Sequence, residues 1–315
     1  MRTGSIFALG CAGLLACGWG HAAQAQNIGV AVARFDNTFQ TIVRNGMQDA
    51  AAGMDGVTLQ MEDAQSDPSR QMDQVRNFIS AGVDAIVVLA VDSDGTGVIT
   101  QMAADAGIPL VYVLHPPAEL EALPENTAFV GSNEIDSGTL QTREVCRLLG
   151  GEGDVLVLMG PLNNHSSIIR TQDIEDVIAT EDCSGMTIVE RQSANWDRLE
   201  ASDIMTNWLS AGIGFDAVIA NNDEMAIGAI QAMKASGHPL DEVVVAGIDA
   251  TPDGLGAMAA GDLEVTVFQN GTRQGEEAVK AAAAMIAGEP VEREIWVPFE
   301  LVTPDNMDRY ASANR

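Results

Sequence analysis

The sequence predicts an α/β protein made of two doubly wound domains with parallel sheets. Short apolar runs that are typical of strands alternate with segments of helical periodicity, and the strands recur about every 25 to 30 residues. The alternation occurs in two consecutive sets, and 315 residues are enough for two domains with separate cores. The clearest example is the βαβ unit at residues 215–254, in which both strands end in hydrogen-bonding side chains.

The first set contains five predicted strands. They cover residues 28–35, 57–61, 84–91, 109–114 and 127–131. The helices after the first three strands are predicted to end near residues 53, 81 and 106, and Pro68 behind Asp67 is typical of a helix start. The turn after the first strand, residues 36–39, lacks the glycines of a dinucleotide-binding fold, so that class of ligand is excluded.

The second set repeats the pattern. Its predicted strands cover residues 155–159, 186–189, 217–220, 243–248 and 263–268. Its predicted helices cover residues 136–149, 168–180 and 225–233, with one more after residue 198. Lys234 in the last turn and Gly237 just beyond it mark the end of the third of these helices. A helix at 274–287 and a β-rich stretch at 294–302 follow, and the alternation alone does not assign them to a domain.

The composition excludes several classes of partner. The formal net charge is -29, from 45 acidic and 16 basic residues. A surface of this charge opposes binding to nucleic acid or to anionic lipid. It indicates a solvated, soluble protein.

The first 26 residues differ from the rest of the chain. They carry one charge, at Arg2, then an apolar stretch at residues 6–16 and the small-x-small sequence Ala23-Gln24-Ala25. This pattern predicts a secretory signal peptide at residues 1–25 and hence a periplasmic protein. An alternative is lipoprotein processing that leaves Cys17 acylated and anchored to lipid. No later run reaches the roughly 18 apolar residues of a membrane-spanning helix.

Cys146 and Cys183 are the cysteines left after cleavage of the signal peptide. In an oxidising compartment they can form a disulfide, or they can remain as two buried thiols. We predict the disulfide. No C-x-x-C pattern or cluster of cysteine and histidine indicates a metal or redox site.

Amide, carboxylate and aromatic side chains follow the predicted strands where the strands end. Ligands of open parallel sheets bind at the carboxyl ends of the strands, so these residues are candidate ligand contacts. Carboxylates and amides can each bond several hydroxyls, and flat rings stack on the C–H faces of a cyclic polyol. The set therefore favours a ligand with many hydroxyl groups. The candidates are Phe35, Asn37, Phe39, Asp92, His115, Trp196, Asn222, Asp249 and Gln269, together with Arg170 at a helix start.

Structural roles compete with these ligand roles. Asp92 and residues 221–223 can cap helices, and Asp249 can open the turn that leads to Pro252. His115 either hydrogen-bonds a ligand or begins the loop ahead of two prolines. A cation is disfavoured at a helix N-terminus, so Arg170 is either held by a ligand or a carboxylate, or it lies on the surface.

The sequence offers little for catalysis. It has no G-x-S-x-G elbow, no P-loop and no H-E-x-x-H motif, and its four histidines do not cluster with a nucleophile. We therefore predict a binding protein that is not an enzyme and uses no cofactor and no metal.

Several motifs together resemble a known family. The segments IGVAVARFDNTF, IPLVYV, IANNDEMAIGA, VVVAGIDATPDG and VTVFQN, in this order behind a signal peptide, resemble the ribose-type periplasmic solute-binding proteins of ABC importers. The resemblance covers about residues 27–304, and NNDEMAIGA followed by GIDATPDG is a specific signature. In detail the chain looks most like the inositol- and rhizopine-binding branch.

The resemblance implies two lobes, joined by three crossings of the chain, that close on a sugar or cyclic polyol. On that pattern the N-terminal lobe comprises residues 27–131 and 270–296, and the C-terminal lobe comprises residues 132–269 and 297–315. A monomer that delivers its ligand to an ABC permease in the inner membrane is also implied. Asn37 and Phe39 match the family's binding turn after the first strand. Arg170 matches its binding arginine, and Trp196 matches its stacking aromatic. Asn222, Asp249 and Gln269 match its amide, carboxylate and hinge glutamine.

Two departures from the ribose binders bear on the ligand. Leu114-His115 stands where the ribose binders carry an Asp-Arg pair, and Gln40 stands where they carry a second phenylalanine. The loss of a carboxylate and a guanidinium removes charged hydrogen bonds to a pentose. Ribose itself is therefore not the expected ligand.

Three other functions are alternatives to a carrier. A sugar-responsive repressor would need a basic helix-turn-helix before the first strand, where the chain has a signal peptide instead. A periplasmic enzyme would need a paired nucleophile and base. A sensory receptor for chemotaxis or signalling has the same sequence features as a transport protein, so this alternative stays open.

Overall fold

The computed structural model describes residue 1 and residues 25–314, and the predicted signal peptide lies almost wholly outside this range. The first half of the chain contributes five strands to one sheet. They are β1 (Gln26–Val32), β2 (Val57–Asp63), β3 (Ala85–Val88), β4 (Leu110–Leu114) and β5 (Thr127–Gly131). The sixth strand of this sheet comes from the end of the chain.

Four helices flank this sheet, two on each face. On one face lie α1 (Thr38–Ala52) and α9 (Gly271–Ile286), and on the other lie α2 (Pro68–Ala81) and α3 (Thr96–Ala106). With β11 (Glu294–Trp296) the strand order is β11-β5-β4-β3-β1-β2, and every pairing is parallel. A core on each face buries apolar side chains completely, as a doubly wound domain requires.

The second sheet has four parallel strands in the order β7-β6-β8-β9. They are β6 (Glu152–Met159), β7 (Gly185–Ser193), β8 (Ala217–Ala220) and β9 (Val244–Ala246). The helices around this sheet are α4 (Glu134–Leu149), α5 (His165–Ile178), α6 (Arg198–Ser210), α7 (Asp223–Ser236) and α8 (Pro252–Ala259). The predicted α/β class with two doubly wound parallel sheets is therefore confirmed.

The β-rich end of the chain divides between the two parts of the molecule. β11 pairs with β5 of the first sheet, whereas β12 (Glu300–Val302) forms an antiparallel pair with β10 (Thr266–Phe268). Isolated bridges connect Ala246 to Val265 and Asp249 to Phe268, which attach this pair beside β9. The chain thus passes between the two parts three times, after β5, after β10 and after β11.

Side chains at the ends of strands also start the helices that follow. Asn37 accepts a hydrogen bond from the backbone N–H of Gln40, and Asn222 accepts one from Met225, each at 3.0 Å. Asp67 caps α2 with Pro68 in the first turn, as predicted. Asn37 and Asn222, which begin helices, also line the space between the sheets.

A disulfide joins Cys146 near the end of α4 to Cys183 just before β7. Of the two alternatives that the sequence left open, the structure contains the bonded pair. No helix in the part of the chain that the structure describes is both long enough and apolar enough to cross a membrane.

Candidate functional site

A cavity lies between the two sheets, where the carboxyl ends of their strands face each other. It encloses at most about 300 Å³, open solvent included, which is too little space for an oligosaccharide. We call it the ligand cavity. Its lining residues are Asn37, Phe39, Gln40, Leu114, His115, Arg170, Trp196, Asn222, Asp249 and Gln269. The structure therefore brings eight of the ten predicted residues together around one space.

Phe35 and Asp92 do not line this cavity. The ring of Phe35 lies under the guanidinium of Arg44, 4.1 Å from it, and packs against the core beneath α1. The Asp92 carboxylate accepts a hydrogen bond from the backbone N–H of Asp94 at 2.9 Å and so closes its own turn. Both residues follow strands, but β1 and β3 end before them, and the intervening loop turns these side chains away from the cavity.

Arg170 is buried in the cavity wall and has a protein partner for each guanidinium nitrogen. Its Nε donates to Glu134 at 2.7 Å, Nη1 donates to the carbonyl of Asn221 at 2.8 Å, and Nη2 donates to Gln269 at 3.3 Å. Only 3% of Arg170 and 3% of Glu134 is exposed, so this ion pair is shielded from water. A buried charge needs such a partner. Of the alternatives that the sequence left open for Arg170, the structure contains the carboxylate partner, which is Glu134.

Asp249 differs from Glu134 because its carboxylate makes no hydrogen bond to the described residues. It lines the ligand cavity and is 3% exposed. Burial raises the pKa of Asp249 well above its usual value, and the charge of Arg170 partly opposes that rise. A ligand hydroxyl that donated to this carboxylate would supply a hydrogen bond and favour the charged form.

Two residues that line the same cavity carry hydrogen-bond donors without partners among the described residues. Nε2 of Gln269 and Nε1 of Trp196 are buried and have no partner among the described residues. Gln269 is held in place because its Oε1 accepts from Arg170, which leaves the amide N–H groups for another acceptor. The cavity thus offers one strong acceptor and several donors, a set that matches hydroxyl groups, which both donate and accept.

Trp196 and His115 form adjacent parallel walls. Their ring centroids are 6.4 Å apart with 10° between the planes, and the Arg170 guanidinium lies 5.6 Å from the indole. The indole packs on the backbone of Gly160, where an added Cβ would lie 2.4 Å from Cζ2. Gly160 therefore makes the room that positions Trp196. The sequence contains this glycine, but nothing in the local pattern connects it to Trp196.

His115 is neutral at physiological pH. Burial, with a smaller contribution from the Arg170 charge, lowers the pKa of His115 to about 3. Its Nδ1 lies 3.1 Å from Oγ of Ser166, on the opposite side of the cleft. A neutral imidazole can donate with one nitrogen and accept with the other, so it suits an uncharged polyol better than an anion.

Contacts beside the cavity hold the two sides of the cleft together. The backbone N–H of Ser93 donates to the carbonyl of Asn163 at 3.2 Å, and Ser93 Oγ accepts from the N–H of His165 at 3.1 Å. Arg34 reaches Asp197 at 3.3 Å. The cleft is therefore closed, which shields hydrogen bonds inside it from water.

Three residues of the site were not among the sequence candidates. Gln40 and Leu114 line the cavity, and Glu134 holds Arg170. Gln40 and Leu114 could have been found as the positions where the chain departs from the ribose binders. Glu134 is one of the acidic residues at the start of α4, and such residues are common at helix starts, so no local signal distinguishes it.

Comparisons with known proteins agree with this geometry. The family model described as periplasmic binding protein domain matches residues 28–290. A putative rhizopine-binding protein of Rhizobium meliloti is 57% identical over 293 residues, which are 93% of this chain and 95% of that protein. A xylitol-binding protein of Mycolicibacterium smegmatis is 35% identical over 314 residues, which are 98% of this chain and 87% of that protein.

A solved structure extends the similarity to the fold. It is an ABC transporter solute-binding protein from Bacillus halodurans with bound myo-inositol, with a TM-score of 0.87 and 42% sequence identity. The match covers 93% of this chain and 99% of that one. These findings confirm the resemblance that the sequence motifs indicated. Because the family model and these relatives span most of its length, this chain belongs to the periplasmic binding protein family and is a solute-binding protein, not an enzyme.

Proposed function

We propose that this protein captures a cyclic polyol of the inositol class in the ligand cavity and delivers it to an ABC permease. The observation that carries the proposal is the buried Asp249 carboxylate, which has no hydrogen bond to the described residues and lines the same cavity as Gln269 and Trp196, whose Nε2 and Nε1 donors have no partner there either. A ring with several hydroxyls would satisfy the carboxylate and both donors. It would also present a C–H face to the indole, as stacking requires.

The charges around the cavity favour a neutral ligand. Arg170 is already paired with Glu134, and His115 is uncharged, so neither offers an unmatched positive charge to a carboxylate or phosphate. The relatives support a neutral polyol, because one is named as a xylitol-binding protein and another was solved with bound myo-inositol. Leu114-His115 in place of an Asp-Arg pair argues against ribose.

Transport requires export and two lobes that can separate. We propose that residues 1–25 direct the protein to the periplasm, where the Cys146–Cys183 disulfide is stable. We further propose lobes at residues 27–131 with 270–296 and at residues 132–269 with 297–315, which agree with the membership of the two sheets. The protein would act as a monomer whose closed form the permease recognises.

Calorimetric titration tests the proposal. Myo-inositol and its stereoisomers should bind more tightly than xylitol, and ribose should bind least. Asp249→Asn should weaken cyclitol binding by about 2 kcal/mol or more, roughly thirtyfold, because the amide can no longer accept two hydroxyl hydrogen bonds as an anion.

Asp92→Asn is the matched control. It makes the same chemical change beside another strand end, outside the cavity, and its Oδ1 can still accept from Asp94. We expect wild-type affinity for this variant. Absence of binding to every cyclitol and sugar would overturn the proposed ligand class, and unchanged affinity in Asp249→Asn would overturn the role of the carboxylate.

A further inference from the structure

A second space borders the ligand cavity. It encloses at most about 860 Å³, open solvent included, and shares the side chains of Asn37, Gln40, His115 and Trp196 with the cavity. It too lies between the two sides of the cleft. We call it the adjoining chamber. A ligand ring in the cavity would therefore have one edge facing a space large enough for a second ring.

Amide groups of the adjoining chamber point donors toward its interior. Oδ1 of Asn37 accepts from the N–H of Gln40 at 3.0 Å, and Oε1 of Gln40 accepts from the N–H of Arg34 at 2.9 Å. Oδ1 of Asn164 likewise accepts from the N–H of Ser167 at 3.4 Å. The carbonyl oxygens are thus used by the backbone, whereas the three NH₂ groups have no partner among the described residues.

Two of these amides are nearly inaccessible to bulk water. Gln40 is 6% exposed and Asn164 is 3% exposed, and both line the chamber. Because these donors lie on largely buried side chains, an occupant that supplies acceptor oxygens would form hydrogen bonds that are shielded from bulk water. Ether and hydroxyl oxygens of a sugar are such acceptors.

The charged groups of the chamber offer no free positive charge to an anion. Arg34 contacts both Asp36 and Asp197, and the Glu200 carboxylate accepts from Nδ2 of Asn195 at 2.7 Å. His115 is neutral. Among the described residues that line the chamber, no cation is left to balance a phosphate or carboxylate, so a neutral occupant fits better than an anionic one.

We propose that the protein binds cyclitols that carry one neutral O-glycosyl substituent, with the cyclitol ring in the ligand cavity and the glycosyl group in the adjoining chamber. This inference rests on the proposed function and specifies its substrate class. Asn37, Gln40 and Asn164 donate to oxygens of the glycosyl group.

A titration series tests the proposal with free myo-inositol, O-glycosyl-myo-inositols linked at different ring oxygens, and myo-inositol phosphates. At least one glycoside should bind as tightly as free inositol or more tightly, and the phosphates should bind at least about tenfold more weakly than that glycoside. If inositol binds and every glycoside binds about tenfold more weakly than inositol, the chamber proposal fails while the proposed function stands. If neither binds, both fail. Tighter binding of a phosphate than of any glycoside would also overturn the chamber proposal.

Two variants locate the glycosyl group. Asn163 lines the chamber, is exposed and makes no side-chain hydrogen bond to the described residues, so Asn163→Trp should fill the space without harming the fold. Leu162→Trp is the matched control, because it enlarges a neighbouring exposed side chain that does not line the chamber. Asn163→Trp should weaken the glycoside at least about tenfold and leave inositol unchanged, whereas Leu162→Trp should affect neither.

Asn164→Asp removes the donor but keeps the oxygen that caps α5. Thermal unfolding measures the cost of the new carboxylate, and the folded variant should lose affinity for the glycoside only. Equal losses for inositol and glycoside in either chamber variant, or no loss for the glycoside in both, would overturn the placement.

Discussion

Residues of the ligand cavity adopt backbone conformations that are unfavourable for L-amino acids. Leu114 has φ of 73°, Trp196 has φ of 61° and Asp249 has φ of 120°. Each such residue costs on the order of 1–3 kcal/mol and persists where its surroundings fix it. The three side chains therefore reach the cavity because the fold holds them there against local preference, as is common at binding sites.

Trp196 is expected to contribute to binding more than to stability. Trp196→Ala should weaken binding by about 2 kcal/mol, roughly thirtyfold, because it removes the stacking surface and the indole donor. The melting temperature should change little, since the side chain is only partly buried. Calorimetry and thermal unfolding of the same preparation measure both quantities. A large loss of stability with unchanged affinity would instead identify Trp196 as a core residue.

Gly160→Ala provides a second perturbation of the same wall, because the new methyl group would displace the indole. Gly97→Ala is its control, since an added Cβ there meets no atom within 4 Å. The first variant should lose affinity as Trp196→Ala does, and the second should not.

Asp173 is buried beside the Arg170–Glu134 pair and is expected to make stability depend on pH. Burial raises the pKa of Asp173 to about 7, and the charges of Asp176, Glu134 and Asp136 add to the rise. Its Oδ2 has no hydrogen-bond partner among the described residues. Because the folded pKa lies above the usual 3.8, the stabilising contribution of the protonated form is present below pH 3.8 and is lost as the pH rises to about 7.

Asp173→Asn should remove this loss. The variant and the wild type should have equal stability below the unfolded pKa, and the variant should be more stable at neutral pH by on the order of 1–3 kcal/mol. Denaturant unfolding at several pH values between these limits measures the difference. Asp203→Asn, at an exposed position on α6, is the control and should follow the wild type. A gap between Asp173→Asn and the wild type that did not grow with pH would contradict the prediction.

At the scale of elements, α4 and α5 carry the charged part of the site at their N-terminal ends. Glu134 begins α4, and Arg170 lies in the second turn of α5, so the packing of these two helices creates the buried ion pair. The disulfide attaches the other end of α4 to the segment before β7. Twelve residues of helix separate Cys146 from Glu134, roughly 18 Å along the axis.

Loss of the disulfide should therefore affect stability and not binding. The double variant Cys146→Ala, Cys183→Ala should lose about 2–4 kcal/mol of unfolding free energy, as expected when a bond across 37 residues of sequence is removed. Ligand affinity should stay within about twofold of the wild type, because the bond lies far from the cavity. Reduction of the wild-type protein should reproduce both results. A change in affinity on reduction would show that the position of α4 at the site depends on the bond.

For the whole molecule, affinity depends on closure as well as on contacts with the ligand. Ser93 lies on the first-sheet side of the cleft and bonds both Asn163 and His165 on the other side. It is fully buried in the closed form. Hydrogen bonds that exist only in the closed form favour that form and slow the release of ligand.

Ser93→Ala should weaken ligand binding by about 1 kcal/mol, about fivefold, mainly through faster dissociation. The variant lacks the oxygen that accepts from His165 but keeps every side chain that lines the cavity. Stopped-flow measurement of dissociation tests this expectation. Ser80→Ala is the control, because Ser80 is exposed on α2 and bonds only a carbonyl of its own helix. An unchanged dissociation rate in Ser93→Ala would exclude a role for this contact in closure.

Much of the fold could be predicted because its signals are local. Alternating apolar runs and helical segments, caps such as Asn37 and Asp67, and glycines after helices all act within a few residues. Where prediction and structure differ, the ends of elements are involved: the predicted strand 28–35 ends at Val32, and the predicted helix 168–180 starts at His165. Because β1 ends at Val32, Phe35 lies in the loop that follows, where it packs against the core and does not line the cavity.

The sequence by itself determined the α/β class, the repeated strand-helix sets and the placement of polar side chains such as Asn222 and Asp249 after strands, because polar residues at the carboxyl ends of parallel strands meet at one edge of a sheet. Only the tertiary structure decided that Glu134 pairs with Arg170 while the Asp249 carboxylate has no hydrogen-bond partner among the described residues, that Gly160 makes room for Trp196, and that β11 and β12 join different sheets. These features depend on contacts between residues far apart in the chain, and such contacts leave no periodic or local trace in the sequence.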